Sequence, residues 1–171
     1  MDEIRRKLES FRESRDIPKF TKYFLASQER MDTLLLCITN LEPYPLKEYG
    51  SWLLCHMLKD GKIDGVPLYQ PLADTLFETK DQTVLRNILN CINEIGIQEY
   101  RESELFDLLL GFINDASNKV ALQMYSMRWL MQICEKYPEL IPEVREVIHL
   151  NSEGKTPAYR AGMYHFEKKF G

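Results

Sequence analysis

Apolar and polar positions recur at helical spacing along almost the whole chain. Between Asp81 and Ile95, Val84, Leu85, Ile88, Leu89, Cys91, Ile92 and Ile95 form one broad stripe, with Arg86, Asn87, Asn90 and Asn93 opposite it. Between Asn118 and Lys136 the pattern returns with Val120, Met124, Met127, Leu130 and Met131. Shorter segments carry Leu105, Leu108 and Phe112, then Ile141, Val144 and Ile148. No segment alternates with the period of a half-buried strand, and no Asn-Gly pair marks a hairpin. The breaks are chemical. Asp60-Gly61 and Asp64-Gly65 bracket a turn, and Gly96 stands where a left-handed residue ends a helix. Ser117 and Thr156 are candidate N-caps, and Pro138 and Pro157 suit first helical turns. The pattern predicts an all-α chain of ten helices near 2–14, 17–26, 28–39, 44–59, 66–78, 82–95, 103–114, 118–136, 138–149 and 156–169.

Those helices come in pairs with a fixed interval. Leu36, Leu72, Leu108 and Val144 lie 36 residues apart, and Leu76, Phe112 and Ile148 keep the same spacing. So do Trp52, Ile88 and Met124, and Cys55, Cys91 and Met127. The first two sets fall on the second helix of each pair, the others on the first. A 36-residue helix–turn–helix unit cannot bury its apolar face alone, so it must stack on its neighbours. The expected architecture is a right-handed α-α superhelix of helical hairpin repeats forming one domain over 1–171. Helices within 1–27 would cap its start, repeats fill 28–150, and a helix within 151–171 cap its end. The shared positions make Cys55, Cys91 and Trp52 expected core residues.

These helix pairs resemble HEAT-like or armadillo-type repeats over about residues 28–170. The segments YGSWLLCHML (49–58), VALQMYSMRWLMQICEKYPELIPEVREVI (120–148) and KTPAYRAGMYHFEKKF (155–170) are similar to a group of small bacterial HEAT-like proteins of the Bacteroidetes type. Some members of that group carry the name adenylosuccinate lyase, which makes a lyase the remotest of the functions considered. The true lyases are several times larger and use a Gly-Ser-Ser-rich mobile loop that this chain lacks. The resemblance implies a fold and supplies no reaction.

Composition narrows the function classes. The 171 residues include 22 Lys and Arg against 26 Asp and Glu, a net charge of −4, which disfavours a general nucleic-acid binder. The longest apolar run, Leu34 to Ile38, is five residues, far short of the roughly 20 that span a bilayer. The first residues, MDEIRRKLESFRES, hold no apolar signal core, so a cytoplasmic location is expected. Cys37, Cys55, Cys91 and Cys134 are scattered, as are His56, His149 and His165, so no metal site and no cofactor is expected. Phosphate-binding, zincin and nucleophile-elbow motifs are missing. His56 and its neighbour Cys55 point to different sides of a helix and form no dyad.

The candidate binding residues come from the polar side of the first helices. Ser51, Asn87 and Gln123 share one repeat position, Lys47, Thr83 and Lys119 a second, and Leu54, Asn90 and Ser126 a third. This row reads either as a face for a partner's backbone or as polar residues between packed helices. Arg86 and Arg128, with Tyr125 and Trp129 close by, could grip a carboxylate or phosphate. The first reading is a scaffold or adaptor that binds a protein or peptide through Lys47, Ser51, Arg86, Asn87, Asn90, Gln123 and Arg128, as a monomer or weak homodimer. The second is a DNA-binding or alkylation-repair module using Arg86, Arg128 and Asp115 with an aromatic residue.

Overall fold

The computed structural model describes residues 2–154 and 156–171; Met1 and Lys155, the first residue of the segment KTPAYRAGMYHFEKKF, lie outside them. Among the described residues there are ten α-helices and no strand. They fall into two compact units, 1–95 and 96–171. The first holds α1 (Asp2–Ser14), α2 (Ile17–Leu25), α3 (Gln28–Thr39), α4 (Leu46–Lys59), α5 (Tyr69–Glu78) and α6 (Gln82–Ile95). The second holds α7 (Glu102–Asn114), α8 (Val120–Lys136), α9 (Ile141–Leu150) and α10 (Pro157–Phe170).

Local chemistry sets the helix ends. Asp16 Oδ1 accepts the Lys19 amide at 3.1 Å, and Ser27 Oγ accepts that of Arg30 at 3.3 Å, so each satisfies an orphan donor of the helix it opens. Thr156 caps α10 in the expected way, taking the Tyr159 amide at 3.4 Å. Gly96 ends α6 at φ +85°, a conformation that a side chain would strain. Ser117 departs from expectation. Its hydroxyl donates to Asp115 Oδ1 at 2.6 Å, so the turn closes on itself and α8 starts three residues later, behind an uncapped Lys119. α4 starts at Leu46 and not at 44, with Pro45 at its N-cap position.

Within each unit the packing runs between sequence neighbours, such as α3 on α4, α5 on α6 and α7 on α8, and between helices two apart, such as α4 on α6 and α8 on α10. In the first unit α4 contacts α2, α3 and α6, and α3 contacts α5. In the second, α7 contacts α8 and α9, and α8 contacts α10. This is the stacking of paired helices that the repeat predicts. In the first unit α1 lies across α4. The first core gathers Phe11, Phe20, Phe24, Leu34, Ile38 and Leu53, and the second Trp129, Leu130, Tyr159 and Phe166.

On the first helices the 36-residue register keeps one column buried and loosens the other, where Ile88 is buried but Trp52 and Met124 are half-buried. Cys55, Cys91 and Met127 are all buried. On the partner helices Leu72 and Val144 are fully buried, Leu108 is half-buried, and Leu36 is 48% exposed. The second helices also differ in their lead-in turns. Both α5 and α9 are entered through a three-residue 3-10 turn containing proline, Val66–Leu68 and Pro138–Leu140. α7 is entered instead through Arg101 in the left-handed region at φ 48°. It presents Leu105, Phe106, Leu109, Leu110 and Ile113 to the core, a stripe rotated by one position.

All four cysteines are buried thiols. Burial pushes Cys134 up to about 11, and pushes Cys91 well above the ordinary thiol value. A hydrogen bond with Cys91 lowers Cys55. Among the described residues no cluster of His, Cys, Asp and Glu could hold a metal ion, and no helix is long and apolar enough to cross a membrane.

One polar latch ties α10 to α9. Arg145 Nε donates to both Glu167 oxygens at 3.1 and 3.2 Å, and His149 Nε2 shares a hydrogen bond with Oε1 at 2.8 Å. His149 first, then Arg145, hold the Glu167 carboxyl below its ordinary value of 4.5. A depressed folded-state value means that the latch stabilises above the ordinary value and is lost as pH falls through the folded one. Glu167→Gln should therefore lower the melting temperature near pH 7 and weaken its dependence on pH below about 4.5. Melting curves of both proteins across that range check this. An acid limb unchanged by the substitution would place the pH sensitivity elsewhere.

Candidate functional site

The first unit carries a groove of about 490 Å³ between the start of α4, the start of α6 and the α1–α2 turn. Such a volume falls within the range of ligand-binding clefts. α4 supplies Glu48, Tyr49 and Trp52, one helical face at spacings of three and four. Asp81, Thr83, Arg86 and Asn87 form the facing wall on and before α6. Tyr44, 57% exposed, and Arg15, whose left-handed backbone (φ 51°) turns α1 into α2, complete the rim.

The aromatic wall is a connected set of rings. Tyr44 stands edge-on to Tyr49 at 6.3 Å, and Tyr49 edge-on to Trp52 at 6.2 Å. Behind them Phe11 stacks on Trp52 at 5.2 Å, fixing the indole from below. Trp52 is thus half-buried and lines the groove, whereas its repeat position predicts a core residue. Its repeat equivalent Ile88 is fully buried.

The polar wall is held by Asn87. Its Nδ2 donates to the Glu48 carbonyl and to Ser51 Oγ, both at 3.1 Å, clamping α6 to α4. Its Oδ1 accepts from Arg86 Nη2 at 3.2 Å, which leaves most of that guanidinium's donors for the groove. Among the described residues neither Arg86 nor Arg15 has a carboxylate within ion-pair distance. Asp81 is committed to capping α6, accepting the Thr83 and Val84 amides at 2.9 and 3.3 Å. Glu48 Oε1 lies 3.4 Å from Lys47 Nζ, while its Oε2 is buried without a hydrogen-bond partner.

The expected row of binding residues is mostly interior. Ser51 and Gln123 are fully buried, and Asn87 and Asn90 nearly so. Gln123 Nε2 donates to the Ile113 and Asp115 carbonyls at 3.2 Å each, closing the end of α7. The Asn90 amide hydrogen-bonds the Cys55 thiol, and its Oδ1 is buried unpaired. These side chains join helices, and Ser51, Asn90 and Gln123 present no open face. A polar residue at a repeated position serves the interior because stacked helices still need hydrogen bonds between them. The structure does bring Arg86 and Asn87 to the groove wall, with Lys47 half-buried beside Glu48.

Arg128 belongs to the second unit and is exposed. Its sequence neighbour Trp129 is fully buried and has no face for a base. Asp115 is exposed, its carboxyl lowered by hydrogen bonds from the Ser117 hydroxyl and amide. His56 is half-buried against Trp52, and burial lowers it. Sequence reasoning missed Tyr44, Glu48, Tyr49 and Arg15. Tyr49 and Trp52 were within reach, since their spacing of three puts them on one helical face. Nothing local marks Arg15, which reaches the groove from another helix pair.

A family model described as a HEAT repeat domain matches residues 4–165. No curated protein and no solved structure matches the chain.

Proposed function

The chain belongs to the HEAT repeat family, and from that premise we propose that it is a non-enzymatic adaptor that binds a protein or peptide segment in the groove of its first unit. The observation that carries this reading is the pairing of Arg86 and Arg15, free of carboxylate partners, with the wall of Tyr44, Tyr49 and Trp52. Guanidinium groups without an acid partner favour an incoming carboxylate, and flat rings beside them favour an aromatic or apolar neighbour. The segment that fits has an acidic residue next to an aromatic one. Affinity would concentrate in those few anchors. The protein would act in the cytoplasm.

Selection of random peptides on the immobilised protein tests this. Enriched sequences should carry Asp or Glu beside an aromatic residue, and their binding should shift Trp52 emission. Arg86→Gln should weaken binding about tenfold, or about 1.4 kcal/mol, with melting nearly unchanged. Enriched peptides indifferent to Arg86, or capture of nucleic acid by this groove, would refute the reading.

A further inference from the structure

We infer that the second unit carries a separate docking groove, between α8 and α10, for an acidic amphipathic helix of a partner protein. The groove has a volume of about 690 Å³. One stripe of each helix lines it. On α8 these are Met124, Met127 and Met131, at spacings of three and four, with Arg128 beside them. On α10 the stripe runs from Gly162 through His165 to Lys168 and Lys169. Each stripe covers seven residue steps, about 10 Å of helix at 1.5 Å per residue, so the groove accepts about two turns.

The floor is apolar and adaptable. Met127 is buried, while Met124 and Met131 are half-open. At the repeat positions of Met124 and Met127, 36 residues earlier, Ile88 and Cys91 are fully covered. The open stripe thus has flexible thioethers where its covered counterpart has a compact thiol and a branched chain. Methionine is the side chain that conforms to a partner's apolar face. Gly162 sits directly over the flexible thioether ends of Met124 and Met127, where an added methyl would displace them.

The rim chooses the occupant. Arg128, His165, Lys168 and Lys169 are all exposed, and no carboxylate lines the groove. Lys169 is ion-paired with Glu135 of α8 at 2.5 Å, whereas among the described residues Lys168 has no ion-pair partner. A positive rim over a methionine floor complements a helix with apolar residues at i, i+3, i+4 and i+7 and acids on its flanks. A bilayer fits less well. Membrane-binding helices project apolar residues outward, whereas here the methionines sit below exposed cations.

Methyl-labelled methionine offers a direct readout, since Met57 lies fully buried in the first unit and serves as an internal reference. The probe is a synthetic peptide of about four helical turns, with leucines on one face and glutamates on its flanks. Its titration should move the Met124, Met127 and Met131 signals and leave Met57 in place. Lys168→Glu, at an exposed site, should weaken the peptide several-fold, and adding Arg128→Glu should take the loss to about tenfold or more. Arg86→Gln should leave this titration unchanged, so this inference and the reading of the first groove fail separately. The inference is overturned if saturating acidic peptide moves none of the three signals. It is equally overturned if a lysine-flanked peptide moves them as strongly, or if phosphatidylglycerol vesicles move them while the peptide does not.

Discussion

Phe11→Ala is expected to destabilise the first unit by about 3–5 kcal/mol. The ring is fully buried and stands where three helices meet. It lies 5.1 Å from the Phe20 ring of α2, stacks on Trp52 of α4 at 5.2 Å, and meets Tyr49 edge-on at 6.2 Å. Alanine would lose the transfer free energy of the ring and leave a cavity that α1 cannot close without moving. The same ring backs the aromatic wall of the groove, so a second signature should appear. Trp52 emission should shift to the red as water reaches the indole, seen most clearly in a Trp129→Phe background. Urea denaturation followed by circular dichroism and fluorescence checks both. A loss under about 1 kcal/mol would show that α1 contributes little to the core.

Trp129→Ala should cost the second unit a similar amount, about 3–5 kcal/mol. The indole is fully buried, on the α8 face that also buries Leu122, Leu130 and Ile133. Trp129→Phe keeps most of that apolar volume and should cost much less. The pair of variants separates two roles. A packing residue loses stability in proportion to the volume removed. A stacking residue in a nucleic-acid module would lose binding with alanine and keep much of it with phenylalanine, with little change in melting in either. Equal, small stability losses with impaired nucleic-acid binding would overturn the interior role.

The reach of local sequence is clearest at the helix termini. Asp16, Gly96 and Thr156 act on backbone groups within a few residues of themselves, and helical spacing places α1 to α10 within a few residues of their ends. Ser117 is not the cap because Asp115 Oδ1 accepts both its amide and its hydroxyl, which folds it into a turn ahead of α8, a local choice that residue type alone does not decide. Leu36 failed as a core residue for a different reason. It keeps its place in the 36-residue register, but α3 turns the stripe of Leu34, Cys37 and Ile38 to the core and leaves Leu36 48% exposed.

By itself, then, the sequence determined that this protein is a series of paired amphipathic helices with a repeating apolar face, since spacings of three and four and the capping residues act within one helix. Only the tertiary structure decided which polar residues would be open. Ser51, Asn87 and Gln123 share a repeat position and were all drawn inward to bridge helices, because buried backbone and side-chain groups must find partners there. Arg15, Tyr44, Trp52 and Arg86 meet in one groove only because three separate helical segments converge. Met124 and Met131 remain half-open only because of where α10 comes to rest on α8. Exposure at such sites depends on which distant segment arrives to cover a side chain, and no spacing within one helix carries that information.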